Sequence, residues 1–341
     1  MHRSSPSQRA WSLAEALVLV LVIAVIAAFL IVVSADNRRR TRLAAGLANL
    51  RFFGAGTETY AADNNDRFWN FTWQRGVQYP GFPAVADAYA AAANQAIDII
   101  RRRVPMPDAT LISGWVPHIS YRHLVLVDYL GLQLPMSQAA SPEDKVLLTW
   151  QRNAGYNDFY SLRIRPTEGQ TLFRWLFSSS YGSGPAFWSR NWTVSINGVI
   201  HAAVTQGSQH NQFGVGSVIN PSIMQRRLDE VQFPADKAHM WDRYQRHFGP
   251  EVLYFAYRDA RLPVLMADGS VSVRSTSSAN PSFNPAIPSS NAETVTNYFP
   301  NTVWEPPTRN GVYQEQVRMY LRFTRGGLRG RDFNGPTVFE P

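Results

Sequence analysis

The run ALVLVLVIAVIAAFLIVV at residues 16–33 decides the fold of the N-terminal region, because it contains no charge and no strong hydrogen-bonding side chain. At about 1.5 Å per residue, a helix of this run is roughly 27 Å long, close to the bilayer hydrocarbon core of about 30 Å. Glu15 stands immediately before it, after a short polar and basic leader. A carboxylate at a membrane boundary is a functional candidate unless it is merely interfacial. The sequence therefore predicts a transmembrane helix that begins with a functional acid.

The residues around Glu15 resemble the prepilin signal of type IV pilins and type II secretion pseudopilins. Residues 9–15 read RAWSLAE, where the family pattern is Gly, Phe, Thr, Leu, Ile and Glu, so that Ala10 and Trp11 replace the usual Gly and Phe. The resemblance implies cleavage after Ala10 and N-methylation of Trp11 by a prepilin peptidase. It also implies that Glu15 neutralises the N-terminal amine of a neighbouring subunit during filament assembly.

Two other interpretations of the N-terminus remain open. In an ordinary signal anchor, Glu15 would only reach from the helix toward water at the interface. In a secretory signal peptide, residues 33–35, Val-Ser-Ala, would form the cleavage site, although the apolar run is longer than the usual core of about 7–15 residues. Basic residues follow the run at positions 38–42, and the positive-inside tendency alone would place that side in the cytoplasm. The prepilin resemblance implies the opposite topology, with the leader inside.

Composition supports a large globular body. The chain has 341 residues, of which 45% are hydrophobic and 13% aromatic, and it has no cysteine, so that no disulfide stabilises it. The net charge of +8 becomes +6 if Arg3 and Arg9 leave with the leader. This balance suits anionic partners such as lipid headgroups or acidic glycans. No nucleic-acid partner is expected, because the Lys and Arg residues are dispersed and no binding motif is present.

The predicted fold class is α+β: a long N-terminal transmembrane α-helix packed on an antiparallel β-rich globular domain, as in pilins. Leu43, Leu47, Leu50 and Phe53 recur at helical spacing, which extends the helix to about residue 62. The glycines in this half weaken a helix by about 1 kcal/mol each relative to Ala. The predicted organisation is listed in chain order: leader 1–10, transmembrane and assembly helix 11–66, β-rich domain 67–275, and Pro/Asn-rich loop with a C-terminal strand 276–341.

A second resemblance covers residues 49–68, NLRFFGAGTETYAADNNDRF. Bacterial proteins with a prepilin N-terminus and a large domain of unknown function often have Asn-Leu, then Tyr-Ala-x-Asp-Asn, at this place. Near the C-terminus the group has His, nine residues, then Asp-Gly. Asp268-Gly269 fits the end of that motif, but Arg258 stands where the group has His, and Ser270 where it often has a second His.

Two polar segments have both a structural and a functional interpretation. Asp268-Gly269 between apolar runs predicts a hairpin turn, whereas a site formed with Arg258 or Asp259 has no geometric support in the sequence. The Asp and Asn side chains of residues 63–66 suit a turn after the helix, and their oxygens also suit calcium. The turn is favoured because no glycine-containing ligand loop follows.

Four further elements are predicted from local pattern. Residues 86–103 are expected to form a helix, and 124–134 are ambiguous between helix and strand. Asn197-Gly198 predicts another hairpin. The alternation of apolar and polar residues over 317–323 predicts a half-buried strand, and the Pro-rich residues 276–311 a long surface loop.

No enzyme signature is present, and no catalytic residue, metal or cofactor is predicted. The seven histidines match no zinc motif, and neither a nucleophile elbow nor a phosphate loop occurs. The many aromatic residues of 145–200 are expected to pack the core, and exposed members could stack on sugar rings. The predicted function is a structural filament subunit in the inner membrane. Its expected partners are itself, other pilin-like subunits, a prepilin peptidase and membrane lipid. The alternative is a tethered binding module for glycan or cell-wall polymer.

Overall fold

A computed structural model describes residues 13–104, 106, 109–166, 172–216 and 223–334, with the side chains of 26–36, 156 and 157 left out. The α-helices in these ranges are α1 Leu13–Asp63, α2 Ala88–Arg103, α3 His123–Tyr129, α4 Lys145–Arg152 and α5 Tyr156–Ser161. The strands are β1 Tyr181–Ser183, β2 Val194–Ile196, β3 Val199–His201, β4 Thr205–Gln206, β5 Phe213–Gly214, β6 Ala238–Asp242, β7 Tyr244–Gln245, β8 Leu253–Tyr254, β9 Arg261–Met266, β10 Val271–Ser275, β11 Val295–Tyr298 and β12 Glu315–Arg318.

The predicted transmembrane helix is wrong. Where side chains are described, none of the helices combines the length and the apolar character that a bilayer crossing requires. The pilin-like class is corrected accordingly: the protein is α+β, with several small antiparallel sheets.

The main sheet has four antiparallel strands in the order β1-β6-β9-β10. Residues 238–242 and 262–266 of its two central strands are buried throughout; 262–266 are all apolar, whereas β6 also buries His239 and Asp242. The other pairs are two-stranded: β2 with β3, β4 with β5, β7 with β8, and β11 with β12. Strand β12 ends at Arg318, so the half-buried strand predicted over 317–323 is wrong from Met319 onward. There Leu321 adopts a left-handed φ of 62°, and both Tyr320 and Arg322 are buried.

The C-terminal half of α1 is part of the main core. Leu50 and Phe53 are fully buried, and the Phe53 ring lies 6.1 Å from the ring of Tyr181 on β1. The Trp69 indole donates a hydrogen bond of 2.8 Å to Oγ1 of Thr57, which fixes the chain after the helix against it. The apolar stripe predicted for this half is therefore its packing face.

Two glycines of α1 allow this close packing. A Cβ on Gly54 would lie 3.1 Å from Cδ1 of Leu265 on β9, and a Cβ on Gly56 would lie 2.8 Å from Cδ2 of Leu126 on α3. Each glycine weakens an isolated helix, as expected from the sequence. In the fold they remove the side chains that would hold the helix away from the sheet and from α3.

Several local predictions are confirmed. Helix α2 spans all but the first two residues of the predicted segment, and the ambiguous segment after residue 123 begins as helix α3. Asn197 and Gly198 join β2 to β3, both with positive φ. The Pro-rich residues 276–311 pack on the body and bury Phe283 and Tyr298 completely, but they are not a continuous loop as predicted, because they include strand β11.

Candidate functional site

The first described turns of α1 present apolar side chains to solvent on every side. Nine large apolar residues between 13 and 25 are 46–88% exposed. Glu15 lies in the first turn of this stretch and is also exposed. Such an extended apolar surface marks a site of association. The predicted processing residues Ala10 and Trp11 lie outside the described part of the chain.

The body of the same chain does not cover this stretch. Among the residues of α1 whose burial is described, the first buried one is Gly46, next to Pro142 and His247. Between Val25 and Gly46 the helix rises about 30 Å. The segment 13–25 therefore extends beyond the body as one continuous helix with the core.

Asp268 and Gly269 form the turn between β9 and β10. Gly269 has a φ of 84°, and Oδ1 of Asp268 accepts hydrogen bonds from the N–H of Ser270 at 2.9 Å and its hydroxyl at 2.7 Å. Within the described chain, no hydrogen bond or ion pair joins Asp268 to Arg258 or Asp259. Asp259 pairs with Arg309 at 2.8 Å instead. The geometry of Asp268 and Gly269 is that of a strand connection.

The polar segment after α1 is also a turn. Asn65 and Asp66 have left-handed φ values of 53° and 57°, and the N–H of Asp66 bonds to the carbonyl of Ala61 at 2.9 Å. Asp63 accepts a hydrogen bond from the hydroxyl of Tyr129. Over the described ranges, no three His, Asp or Glu side chains are grouped as a metal site requires.

A cavity of about 700 Å³ lies where distant parts of the chain meet. This volume is within the range of small-ligand sites. Its walls come from the loop before α3, the short 3₁₀-helix Leu172–Phe177, the β4–β5 hairpin and the β6–β8 region. The side chains that matter for its chemistry are Trp115, Tyr121, Arg174, Trp175, His210, Gln212, Arg243, Tyr244, Tyr254, Glu305 and Arg322.

Glu305 is the carboxylate of this cavity, and the protein itself satisfies it. It accepts hydrogen bonds from the Tyr244 hydroxyl at 3.0 Å, the Asn301 N–H at 2.8 Å and Nε2 of His210 at 3.4 Å. Burial favours the neutral acid, but the hydrogen bonds from His210 and from the Asn301 N–H, together with the positive charge of Arg243, hold the pKa of Glu305 below its ordinary value. Nδ1 of His210 accepts from the N–H of Phe299 at 3.3 Å, which assigns a neutral ring that donates from Nε2. Glu305 is therefore ionised.

Three arginines line the cavity, and none has a carboxylate within 4.0 Å among the described residues. Arg322 is buried and donates to the His210 carbonyl at 2.6 Å, and burial lowers its pKa. Arg243 donates to Oγ of Ser120 at 3.0 Å, while its buried Nε has no partner in the described part of the chain. Arg174 lies 5.8 Å and 5.5 Å from the rings of Trp115 and Trp175. With one carboxylate against three guanidinium groups, the cavity has a surplus of positive charge.

The cavity is partly exposed at its mouth and polar there. Trp175 is half-buried, whereas Trp115 and Tyr121 are buried with their rings 4.8 Å apart, edge to face. Gln212 is exposed on the β4–β5 hairpin. An aromatic wall, charged donors inside and amides at the rim are chemically suited to a polar ligand with flat apolar faces.

The sequence did not reveal this cavity. Its arginines stand at positions 174, 243 and 322, in segments that show no common motif. The one available signal was the density of aromatic residues over 145–200, of which most pack the core and Trp175 reaches the cavity. Comparison with protein-family models, curated proteins and solved structures finds no match to this chain.

Proposed function

We propose that this protein is a structural subunit that assembles through the N-terminal segment of α1, in the manner of a pilin or pseudopilin. The observation that carries the proposal is the exposure of apolar side chains on all sides of 13–25. Full burial of a large aliphatic side chain stabilises by about 1.5–3 kcal/mol. Burial of these nine exposed side chains on association would therefore provide a large favourable free energy. The entropic cost of association must be subtracted from it.

The proposed occupant of this surface is the same segment of other copies. Because every side of the helix is apolar, one neighbour leaves part of it in water, whereas several parallel helices cover it. The described part of the body leaves it uncovered, since the first buried residue among those described lies about 30 Å along the helix. In such a bundle Glu15 would face the amino group of Trp11 from a neighbour, after removal of residues 1–10 by a prepilin peptidase. Opposite charges in this dry setting attract far more strongly than in water.

The experiment compares assembly of the full-length chain with that of three variants, by sedimentation and negative-stain electron microscopy. The double variant Leu19→Gln/Ile23→Gln should raise the concentration needed for assembly at least tenfold, because it places two amides in the apolar contact. Glu15→Gln should weaken assembly or abolish its order. Glu58→Gln is the matched control, since Glu58 is an exposed acid on the same helix within the body.

Two results contradict the proposal. One is a chain that stays monomeric at every concentration, and the other is equal assembly of the unaltered and the double-glutamine protein. Mass spectrometry of the N-terminus tests the processing step separately. The proposal expects a methylated Trp11, whereas an N-terminus at Met1 or Asp36 supports the other interpretations of the leader.

A further inference from the structure

We infer that the cavity between the 3₁₀-helix Leu172–Phe177, the β4–β5 hairpin and the β6–β8 region binds an acidic saccharide. In this assignment a sugar ring stacks on Trp175, and its carboxylate is bound by Arg174 and Arg243. The inference is independent of assembly, because the cavity lies in the body and α1 contributes no residue to it.

The charge of the cavity selects an anion. Three arginines face one glutamate whose oxygens already accept three hydrogen bonds, and the ring of His210 is neutral. The surplus is therefore about two positive charges. Within a low-dielectric pocket, such a surplus favours an anionic group strongly over a neutral one.

Two guanidinium groups retain donors for that anion. The guanidinium of Arg243 lines the cavity and donates to Oγ of Ser120 at 3.0 Å, and it forms no ion pair with a described residue. Arg174 lies against two indole rings and forms no ion pair with a described residue. By contrast, Arg322 already donates to Gln206, to the His210 carbonyl and to Tyr254. Arg322 therefore adds charge, while the other two contact the ligand.

The walls of the cavity favour a sugar. Pyranose rings have apolar C–H faces and polar edges, and they pair with an indole face that adjoins hydrogen-bonding groups. Trp175 supplies a half-buried indole, and Ser113, Asn211 and Gln212 supply amides and a hydroxyl at the exposed mouth. A surplus of two charges suits one or two carboxylates better than the higher charge of a nucleotide polyphosphate.

The test is isothermal titration of the full-length protein with trimers of galacturonate, mannuronate and glucuronate. The methyl esters of the same trimers are the matched ligands, because they keep the ring and the hydroxyls and lose the charge. We expect at least one acid trimer to bind at least tenfold more tightly than its ester. This binding should weaken as salt is raised.

Variants locate the binding. Arg174→Gln and Arg243→Gln should each reduce the affinity for the acid trimer at least tenfold without changing the affinity for the ester. Arg258→Gln removes the same charge from an exposed position outside the cavity and should leave both affinities unchanged. Thermal unfolding of each variant distinguishes a local effect from loss of the fold, and Arg174→Gln should unfold like the unaltered protein, because its contacts are aromatic and peripheral.

Several outcomes would overturn the inference. They are failure of all three acid trimers to bind, equal binding of acid and ester, and acid binding that Arg174→Gln and Arg243→Gln both leave intact. A single-stranded oligonucleotide is titrated in parallel, and tighter binding of that probe than of every acid trimer would assign the cavity to nucleic acid instead.

Discussion

The guanidinium of Arg122 lies 2.8 Å from Nε2 of His239, and both side chains are buried without a carboxylate nearby in the described structure. Since arginine can only donate, His239 accepts and is neutral. The cation also lies 4.2 Å from the ring of Trp69. Burial lowers the pKa of Arg122 to about 9 and that of His239 well below its ordinary value. This polar centre of the core is stable only while its histidine stays uncharged.

The first prediction concerns pH. Burial lowers the pKa of His118 and of His123 to about 3, and it also lowers that of His239. In the unfolded chain these histidines ionise near 6.5, so the unfolded state binds more protons between about pH 6.5 and 3. The free energy of unfolding should therefore fall as pH drops through this window, by up to about 1.4 kcal/mol per pH unit for each histidine. Urea denaturation at pH 7.5, 6 and 5 measures it.

His118→Phe provides the matched test of that pH dependence. Neither ring nitrogen of His118 has a hydrogen-bond partner in the described structure, and the ring stacks on Trp188 at 4.7 Å. Phenylalanine fits this aromatic site without an unpaired polar atom. The variant should be at least as stable at neutral pH and should lose less stability on acidification. An unchanged acid dependence would show that His118 is not among the groups responsible.

The second prediction concerns Gly56. Alanine is the better helix former by about 1 kcal/mol, and on propensity alone Gly56→Ala would stabilise the protein. We expect destabilisation by about 1–3 kcal/mol instead, because the new Cβ would lie 2.8 Å from a methyl group of the fully buried Leu126. Urea denaturation measures the change. Ala55→Gly, at an exposed position of the same helix, is the control and should cost only the propensity term of about 1 kcal/mol.

The third prediction concerns a buried ion pair that links β6 to the C-terminal segment. Nζ of Lys237 lies 3.3 Å from Asp332, and the two side chains are 1% and 2% exposed. Burial lowers the pKa of Lys237 and raises that of Asp332, so it opposes the charge on both. Asp332→Ala should cost about 3–5 kcal/mol, because it leaves a buried lysine unpaired. The double variant Lys237→Met/Asp332→Leu should recover most of that loss in chemical denaturation, and failure to recover it would mean that the pair is a net stabiliser.

The fourth prediction concerns the turn at Gly269. With a φ of 84°, this position accepts Gly at no steric cost and Asn at little, whereas Ala is strained there. Gly269→Ala should lower the free energy of unfolding by about 1 kcal/mol, and Gly269→Asn by less. Thermal or urea denaturation ranks the two. Equal stability of both variants would contradict the assignment of the residue's role to backbone conformation.

What the sequence predicted correctly was local. Asn197-Gly198 marks a hairpin because only a few residue types accept positive φ, and the spacing of Leu50 and Phe53 gives the buried face of α1 without knowledge of its partner. These features depend on neighbours within a few residues. The rest depends on which distant segments meet, and no short-range pattern encodes that.

The wrong predictions also concern features that depend on contacts between distant segments of the chain. The alternation after Val317 resembled a strand, but Arg322 is drawn inward by Gln206 and Tyr254, more than a hundred and nearly seventy residues away, respectively. From the sequence, Gly54 and Gly56 only weaken the helix. Their close contacts with Leu265 and Leu126 depend on the tertiary fold and could not be predicted. The cavity arginines shared no motif for the same reason. The transmembrane prediction rested on the apolar run 16–33 and on the resemblance around Glu15, whereas none of the helices, where side chains are described, is both long and apolar enough to cross a bilayer.

The continuity of α1 from exposed arm to packed core has a mechanical consequence. Helix α1 runs without interruption from Leu13 to Asp63, and Phe53 packs among aromatic rings in its C-terminal half. A force or torque applied to residues 13–25 is therefore transmitted through the helix to the packed core of the body. In an assembled array, the tilt and rotation of each helix would dictate the direction in which every body, and the opening beside Trp175, points outward.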